Sequence, residues 1–261
     1  MTVNTSGPTS HKALLSMRLD GQVALVTGAG RGIGRGTALA MAEAGAEVVA
    51  WSRTAGEIDS LVAEIAAGGG KARAQVVDVT DDARVQEAIG ELDRLDILFN
   101  NAGTNKPQPF LEIDTNSLDT VLDLNIRAAI IVAQAAARKM VAQGSGSIVN
   151  MSSTMGHVGG PNRAVYCTTK HAMEGFTKAL AVELAPMGVR VNAVSPTFVE
   201  TAMTRPMLED PAFKNFVLGM IPMGRVATEA DVAAAVIYLA SPAAGMVTGA
   251  SLLVDGGWIA R

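Results

Sequence analysis

Cysteine occurs once, as Cys167, which excludes an intrachain disulfide and fits a reducing compartment. Next to Tyr166, this cysteine reads as a packed small side chain rather than a nucleophile. The three histidines, His11, His157 and His171, have no ligand spacing, so no metal is expected. Charged residues are scarce at 18%, the net charge is −4, and no basic run of five or more occurs. Nucleic acid is therefore not an expected partner, because phosphate binding needs clustered Lys and Arg. The first 17 residues lack the continuous apolar stretch of a signal peptide. The longest uncharged stretch, Val232 to Val254, could span a membrane by count. Ser241-Pro242, Gly245 and Gly249 instead break it into helix, turn and strand. A soluble, cytoplasmic protein with no membrane partner is the expectation.

What is present is apolar residue, 49% of 261, enough for a sizeable core and too much for disorder. A Thr-, Ser-, Gly- and Pro-rich start, residues 1–17, reads as a flexible tail. From Gly21 onward, short β-branched runs alternate with Ala-rich helical stretches. Strands are expected at Val23–Val26, Glu47–Trp51, Arg73–Val77, Ile97–Phe99, Ser147–Asn150, Arg190–Val194 and Leu252–Val254. Helices are expected near Ile33–Ala44, Glu57–Ala67, Asp82–Leu92, Ser117–Gln143, Ala164–Ala185 and Glu229–Ala240. Such alternation implies right-handed crossovers and a parallel sheet with helices on both faces. No linker or internal repeat divides the chain, so residues 18–261 are expected to form a single α/β domain, doubly wound. Residues 200–225 depart from the alternation, carrying Met203, Met207, Met220 and Met223 with Phe213 and Phe216. Ligands of open α/β sheets bind beyond the carboxyl ends of the strands, where this segment would act as a substrate lid; a surface helical hairpin is the alternative.

The segment VALVTGAGRGIG, Val23 to Gly34, is a buried strand, a glycine turn and the start of an amphipathic helix. Gly28, Gly30, Gly32 and Gly34 let the backbone approach a pyrophosphate, with Arg31 and Ile33 between them. The helix N-terminus adds free N–H groups and partial positive charge. The usual G-x-G-x-x-G spacing is not met, because Ile33 stands where the third glycine should be; the pattern is T-G-x-x-x-G-x-G. At the end of the second strand, an acid would bind the ribose of NAD, whereas an Arg accommodates the 2′-phosphate of NADP. Here Trp51-Ser52-Arg53-Thr54 offers no acid before Glu57, and Arg31 can approach the same phosphate. NADP(H) is the expected cofactor and NAD(H) the alternative; a solvated surface cation is the other reading of Arg53.

Tyr166 and Lys170 are four residues apart in a helical stretch and share a face. A free tyrosine titrates near pH 10, too high for a base at neutral pH, and a neighbouring ammonium favours the phenolate. Hydride chemistry on a carbonyl needs such a poised proton-transfer group.

Taken with T-G-x-x-x-G-x-G and Asn100-Asn101-Ala102-Gly103, this pair resembles the short-chain dehydrogenase/reductase family, over roughly Arg18 to the C-terminus. The resemblance implies a Rossmann-like sheet and interconversion of a ketone and a secondary alcohol. It also implies roles for further residues. Tyr166 transfers the proton, Ser153, thirteen residues upstream, polarises the substrate oxygen, and Lys170 binds the nicotinamide ribose. Asn125 matches the helix asparagine that supports a proton relay, and Ser152 is the second choice for the serine. Asp78, before Val79, matches the adenine-binding acid, with a helix-capping Asp as the other reading. Asn101, Ala102 and Gly103 pass beside the cofactor. Pro196, Val199 and Thr201 follow the sixth strand, the last two bonding the carboxamide, while Thr197 replaces a common family glycine. Enoyl reductases space their Tyr and Lys seven apart, which disfavours that branch.

Two substrate classes are weighed. Sugar acids, polyols or related polar ketones suit Asn105, His157, Asn162 and Arg163, with Thr104 and Lys106 nearby. Fatty 3-oxoacyl thioesters suit the similarity to 3-oxoacyl carrier-protein reductases and the Met-rich segment. A non-catalytic NADP-binding scaffold or redox sensor is the reading from another class, against which the full Ser-Tyr-Lys set counts. The family also implies a homotetramer, with a dimer as the alternative, paired through the Ala-rich helices and the C-terminal segment Gly249–Trp258.

Overall fold

A computed structural model describes residues 16–202 and 204–260. Most of the expected tail, and Met203 of the expected lid, lie outside the described residues. Seven strands form the sheet: β1 Val23–Thr27, β2 Glu47–Ser52, β3 Lys71–Val76, β4 Ile97–Asn100, β5 Gly146–Met151, β6 Val189–Pro196 and β7 Ser251–Val254. Every neighbouring pair is parallel, in the order β3-β2-β1-β4-β5-β6-β7. This is the doubly wound, Rossmann-like sheet the alternation implies. The helices are α1 Gly32–Glu43, α2 Ala55–Ala67, α3 Asp82–Gly90, α4 Thr115–Leu122, α5 Ala129–Gln143, α6 Ala164–Leu184, α7 Arg205–Leu208, α8 Pro211–Met220 and α9 Glu229–Ala240.

The central strands read as near-continuous apolar runs because both sheet faces are covered. Ala24, Val26, Val48, Ala50, Ile97 and Phe99 pack under α1, α2 and α9, against Met41, Leu61 and Val236. Their neighbours Leu25, Val49, Trp51 and Leu98 face the other way, under α3, α5 and α6, against Val85, Val132 and Leu184. The period-two alternation of a strand thus feeds two cores. Val232–Val254, the stretch long enough to cross a membrane, is α9, a turn at Pro242–Ala244 and β7.

The expected helix Ser117–Gln143 starts at Thr115, capped by Asp114, whose carboxylate accepts from the Ser117 amide at 2.8 Å. It carries one turn of π-helix at Asp123–Ala128, between α4 and α5. At 29 residues, Thr115–Gln143 is long and apolar enough to cross a membrane, but half of its most apolar window is buried inside the protein, as suits a core helix.

The switch of strand order lies between β1 and β4, and the chain leaves both strands at their carboxyl ends. In open α/β sheets this is where a ligand crevice forms.

Candidate active site

The turn between β1 and α1 fits only glycine at its close approaches. Gly28 and Gly32 take φ of +65° and +57°, which side chains disfavour. A Cβ at Gly34 would overlap the Gly28 carbonyl oxygen. The β4 end is stitched to this turn. The Thr27 hydroxyl accepts from the Asn101 and Ala102 amides at 2.9 and 3.0 Å, and the Asn101 side chain donates to the Thr27 carbonyl at 2.9 Å. Thr27, not assigned a role from the motif, is therefore what brings the two turns into one wall.

Helix capping sorts the same way. Helices α3, α4, α8 and α9 each have a side-chain cap at the N-terminus, from Asp81, Asp114, Asp210 and Thr228. In α1, α2 and α6 the caps are Arg31, Thr54 and Arg163, and none makes a side-chain bond. All three line one cleft of about 500 Å³. Uncapped N–H groups and positive dipole ends suit anions, and the volume is that of a small-molecule site.

The remaining expected cofactor residues meet in this cleft. Gly30, Ile33, Ser52, Arg53, Asp78, Val79, Gly103, Pro196, Val199 and Thr201 all line it. Arg53 is 74% exposed and stands 3.9 Å from Asp78, free to close on a phosphate. Asp78 is not the helix cap, which is Asp81. Its carboxylate turns on Thr80, accepting from the amide at 3.0 Å and the hydroxyl at 2.8 Å.

Glu57 is a residue the sequence reading placed outside the site. The first turn of α2 returns its carboxylate to the wall, 3.5 Å from the Ser52 hydroxyl, and a Cβ at Gly30 would overlap it. Its position three residues after the cap Thr54 was the available signal.

Ser153, Tyr166 and Lys170 meet further along the cleft. Ser153 follows β5 and caps a single turn, Thr154–Gly156, accepting from the Met155 amide at 3.1 Å, which fixes its rotamer. Ser152 turns the other way, toward the Lys170 carbonyl at 3.5 Å. Lys170 is buried, donates to the Met151 carbonyl at 2.8 Å, and lies 5.6 Å from the Tyr166 ring centre. Burial pulls its ammonium down to about 8, against the opposing field of Glu174. Burial pushes the Tyr166 phenol up; a hydrogen bond with Ser153 and the positive field of Arg163 pull it back. Arg163 thus adds a second cation near the phenol, beside Lys170 over the ring.

Asn125 does not line the cleft. It is buried in the π turn, where its amide clasps Thr104, donating to the carbonyl and accepting from the amide, each at 2.8 Å, and donates to Thr169 at 3.2 Å. A π turn shifts one carbonyl out of the helical ladder. Asn125 also lies against Gly103, where a Cβ would come within 3.1 Å of its oxygen.

Of the polar residues weighed for substrate, Thr104, Asn105 and Arg163 line the cleft, whereas His157, Asn162 and Lys106 do not. His157, itself exposed, turns instead to a separate polar cluster, 3.3 Å from Glu174 and 3.2 Å from Ser251. Glu174 in turn accepts from Ser195 and Ser251, each at 3.0 Å. Lys106 bonds Thr120. In residues 200–225, Met207 lines the cleft, while Met223 is exposed and Met220 packs with Val217 and Trp258.

A family model described as enoyl-(acyl carrier protein) reductase matches residues 28–259. L-xylulose reductase of Mesocricetus auratus is 43% identical over 246 residues, 94% of this chain and 99% of that protein. The chain belongs to the short-chain dehydrogenase/reductase family. The family's reach extends to a 3-oxoacyl-[acyl-carrier-protein] reductase of Synechocystis sp., 39% identical over 92% of this chain and 98% of its own length. Among solved structures, a putative NAD(P)-dependent gluconate 5-dehydrogenase from Beutenbergia cavernae with bound NADP superposes with a TM-score of 0.91. It is 42% identical and covers 94% of this chain and 99% of its own. Like these relatives, this short-chain dehydrogenase/reductase is an oxidoreductase.

Proposed function

We propose that this chain is an NADP(H)-preferring oxidoreductase that interconverts a polar ketone, of the sugar, polyol or sugar-acid kind, with its secondary alcohol. The observation that carries the reading is the meeting of Ser153, Tyr166 and Lys170 in the cleft that also holds the glycine turn. The cradle fits a dinucleotide. Its glycines leave room only for backbone, the α1 N-terminus is uncapped, and Arg31, Ser52 and Arg53 line it. Arg53 favours a 2′-phosphate, while Glu57 leaves a carboxylate for a ribose hydroxyl, so NAD(H) is the second cofactor.

When bound, the nicotinamide supplies or accepts the hydride. Tyr166 holds the proton at its Oη and delivers it to the substrate oxygen, which Ser153 orients. Lys170 binds the nicotinamide ribose and supports the phenolate. Asn125 keeps the backbone of its helix open for proton exchange with Lys170 and braces the wall at Gly103. Val199 and Thr201 orient the carboxamide, and Thr204 and Met207 face the substrate.

A polar substrate is favoured over an acyl thioester because Asn105, Arg163 and Thr197 line the cleft and each has a polar atom buried without a partner among the described residues. Buried polar groups need partners, and an acyl chain supplies none. The test is NADPH and NADH oxidation, followed at the reduced-nicotinamide absorbance, over ketoses, 2- and 5-keto sugar acids and 3-oxoacyl thioesters. NADPH-dependent reduction of a polar ketone supports the reading; reduction of thioesters alone refutes the substrate class. Tight NADPH binding without turnover of anything favours a scaffold or redox sensor.

A further inference from the structure

Resting on that reading and deepening it, we propose that Arg163 binds a carboxylate of the substrate, so that the physiological substrate is a hydroxy acid or keto acid rather than a neutral sugar.

Arg163 stands immediately before α6, three residues ahead of Tyr166, and lines the cleft. A cation at a helix N-terminus opposes the helix dipole. No carboxylate compensates it: the first turn of α6 holds no acid, and Arg163 forms no ion pair within 4.0 Å among the described residues. Arg31, Arg73, Arg138 and Arg190 likewise form no ion pair among the described residues. Of these only Arg31, in the glycine turn, lines the cleft, and the third cleft arginine, Arg53, stands 3.9 Å from Asp78.

The guanidinium is nonetheless held in place. It stacks over Phe198 at 5.8 Å, and Phe198 is itself fixed edge-on to Phe213 at 5.5 Å. The loop before it is pinned, with the Gln108 amide donating to the Asn162 carbonyl at 3.0 Å. Asn162 takes φ of +59°, the one non-glycine residue with positive φ among those described. Arg163 Nη1 is buried with no hydrogen-bond partner among the described residues. An immobilised, partly buried cation lacking a counter-charge is costly alone and becomes favourable when a carboxylate accepts from its planar fork.

The neighbours complete a hydroxy-acid site. Asn105 Oδ1 and Thr197 Oγ1, also unpartnered, lie in the same wall. They suit hydroxyls beside the reacting carbon: Oδ1 accepts only, while Oγ1 donates or accepts. Arg163 stands at the start of α6, three residues ahead of Tyr166, and both line the cleft. A carboxylate bound there would therefore sit within a few carbons of the carbonyl that Tyr166 protonates.

The test compares wild type, Arg163→Gln and Arg163→Lys with NADPH on 5-ketogluconate and on an uncharged ketohexose. Wild type should favour the acid, and the acid-to-ketose ratio of kcat/KM should fall about 100-fold in Arg163→Gln, as expected for losing a charge-assisted pair, with partial rescue by Lys. A second measurement does not need turnover: gluconate should raise the melting temperature of the Tyr166→Phe protein in NADPH, and Arg163→Gln in that background should erase the shift. An unchanged selectivity ratio, or a gluconate shift that survives Arg163→Gln, overturns the inference while leaving the polar-ketone reading intact. Reduction of 3-oxoacyl thioesters alone would remove that reading as well.

Discussion

Glu174 lies one turn beyond Lys170 on α6, and its field opposes the burial that draws the lysine down to about 8. The carboxylate is fastened by Ser195 and Ser251, with His157 at 3.3 Å. It therefore acts on the site through Lys170 as a positioning residue. Glu174→Gln keeps both serine bonds but removes the charge. The Lys170 ammonium is then lost at a lower pH, and the alkaline limb of the kcat/KM profile should move downward. An unmoved limb would mean that this profile does not report Lys170.

Lys170 also sets function against stability. Its pKa is lower in the folded protein than in the unfolded chain, 10.5 against about 8. Below pH 8 the buried charge therefore costs its full penalty, about 3 kcal/mol at 1.36 kcal/mol per unit. The penalty fades as pH rises from 8 toward 10.5. Loss of the bond to the Met151 carbonyl takes back part of the gain. Lys170→Met should thus be inactive yet about 1–2 kcal/mol more stable in urea at pH 7, with the advantage shrinking by pH 10.

On the proposed reading, cofactor choice is set by two opposed side chains, Arg53 and Glu57. Arg53→Ala should raise the NADPH KM about tenfold and leave NADH nearly unaffected, from loss of one charge-assisted contact. Glu57→Gln should act in the opposite sense, lowering the NADPH KM and raising that for NADH. Steady-state kinetics with both cofactors checks the pair; a parallel response to both cofactors would remove these residues from discrimination.

The glycine turn gives a contrast within one residue type. Gly34→Ala brings a Cβ onto the Gly28 carbonyl, a backbone atom that cannot yield. It should weaken NADPH binding at least tenfold and cost about 1–3 kcal/mol by overpacking. Gly56→Ala, in α2 with nothing within 4 Å of the added carbon, should change stability by less than about 0.5 kcal/mol.

Much of this was readable from local pattern. The seven strands were visible because parallel strands buried on both faces are short apolar runs, and turn residues bound them. The glycine turn, Ser153, Tyr166 and Lys170 lie at fixed spacings, and all line the cleft. What escaped depends on where a side chain turns after the backbone is placed. His157 looked like a substrate residue from its loop, yet its ring goes to Glu174 and Ser251. Glu57 looked remote, but the helix start aims it back at Gly30. The π turn around Asn125 was not legible, because a single extra residue offsets the apolar stripe by only one position within a helix rich in alanine.

The most direct test of the account is Tyr166→Phe, measured for NADPH binding by fluorescence and for NADPH oxidation with the best polar ketone. Loss of the proton donor should lower kcat by about 10²–10⁴, while NADPH still binds with a Kd raised no more than about tenfold. A variant that keeps more than a tenth of the wild-type kcat would contradict proton transfer by Tyr166.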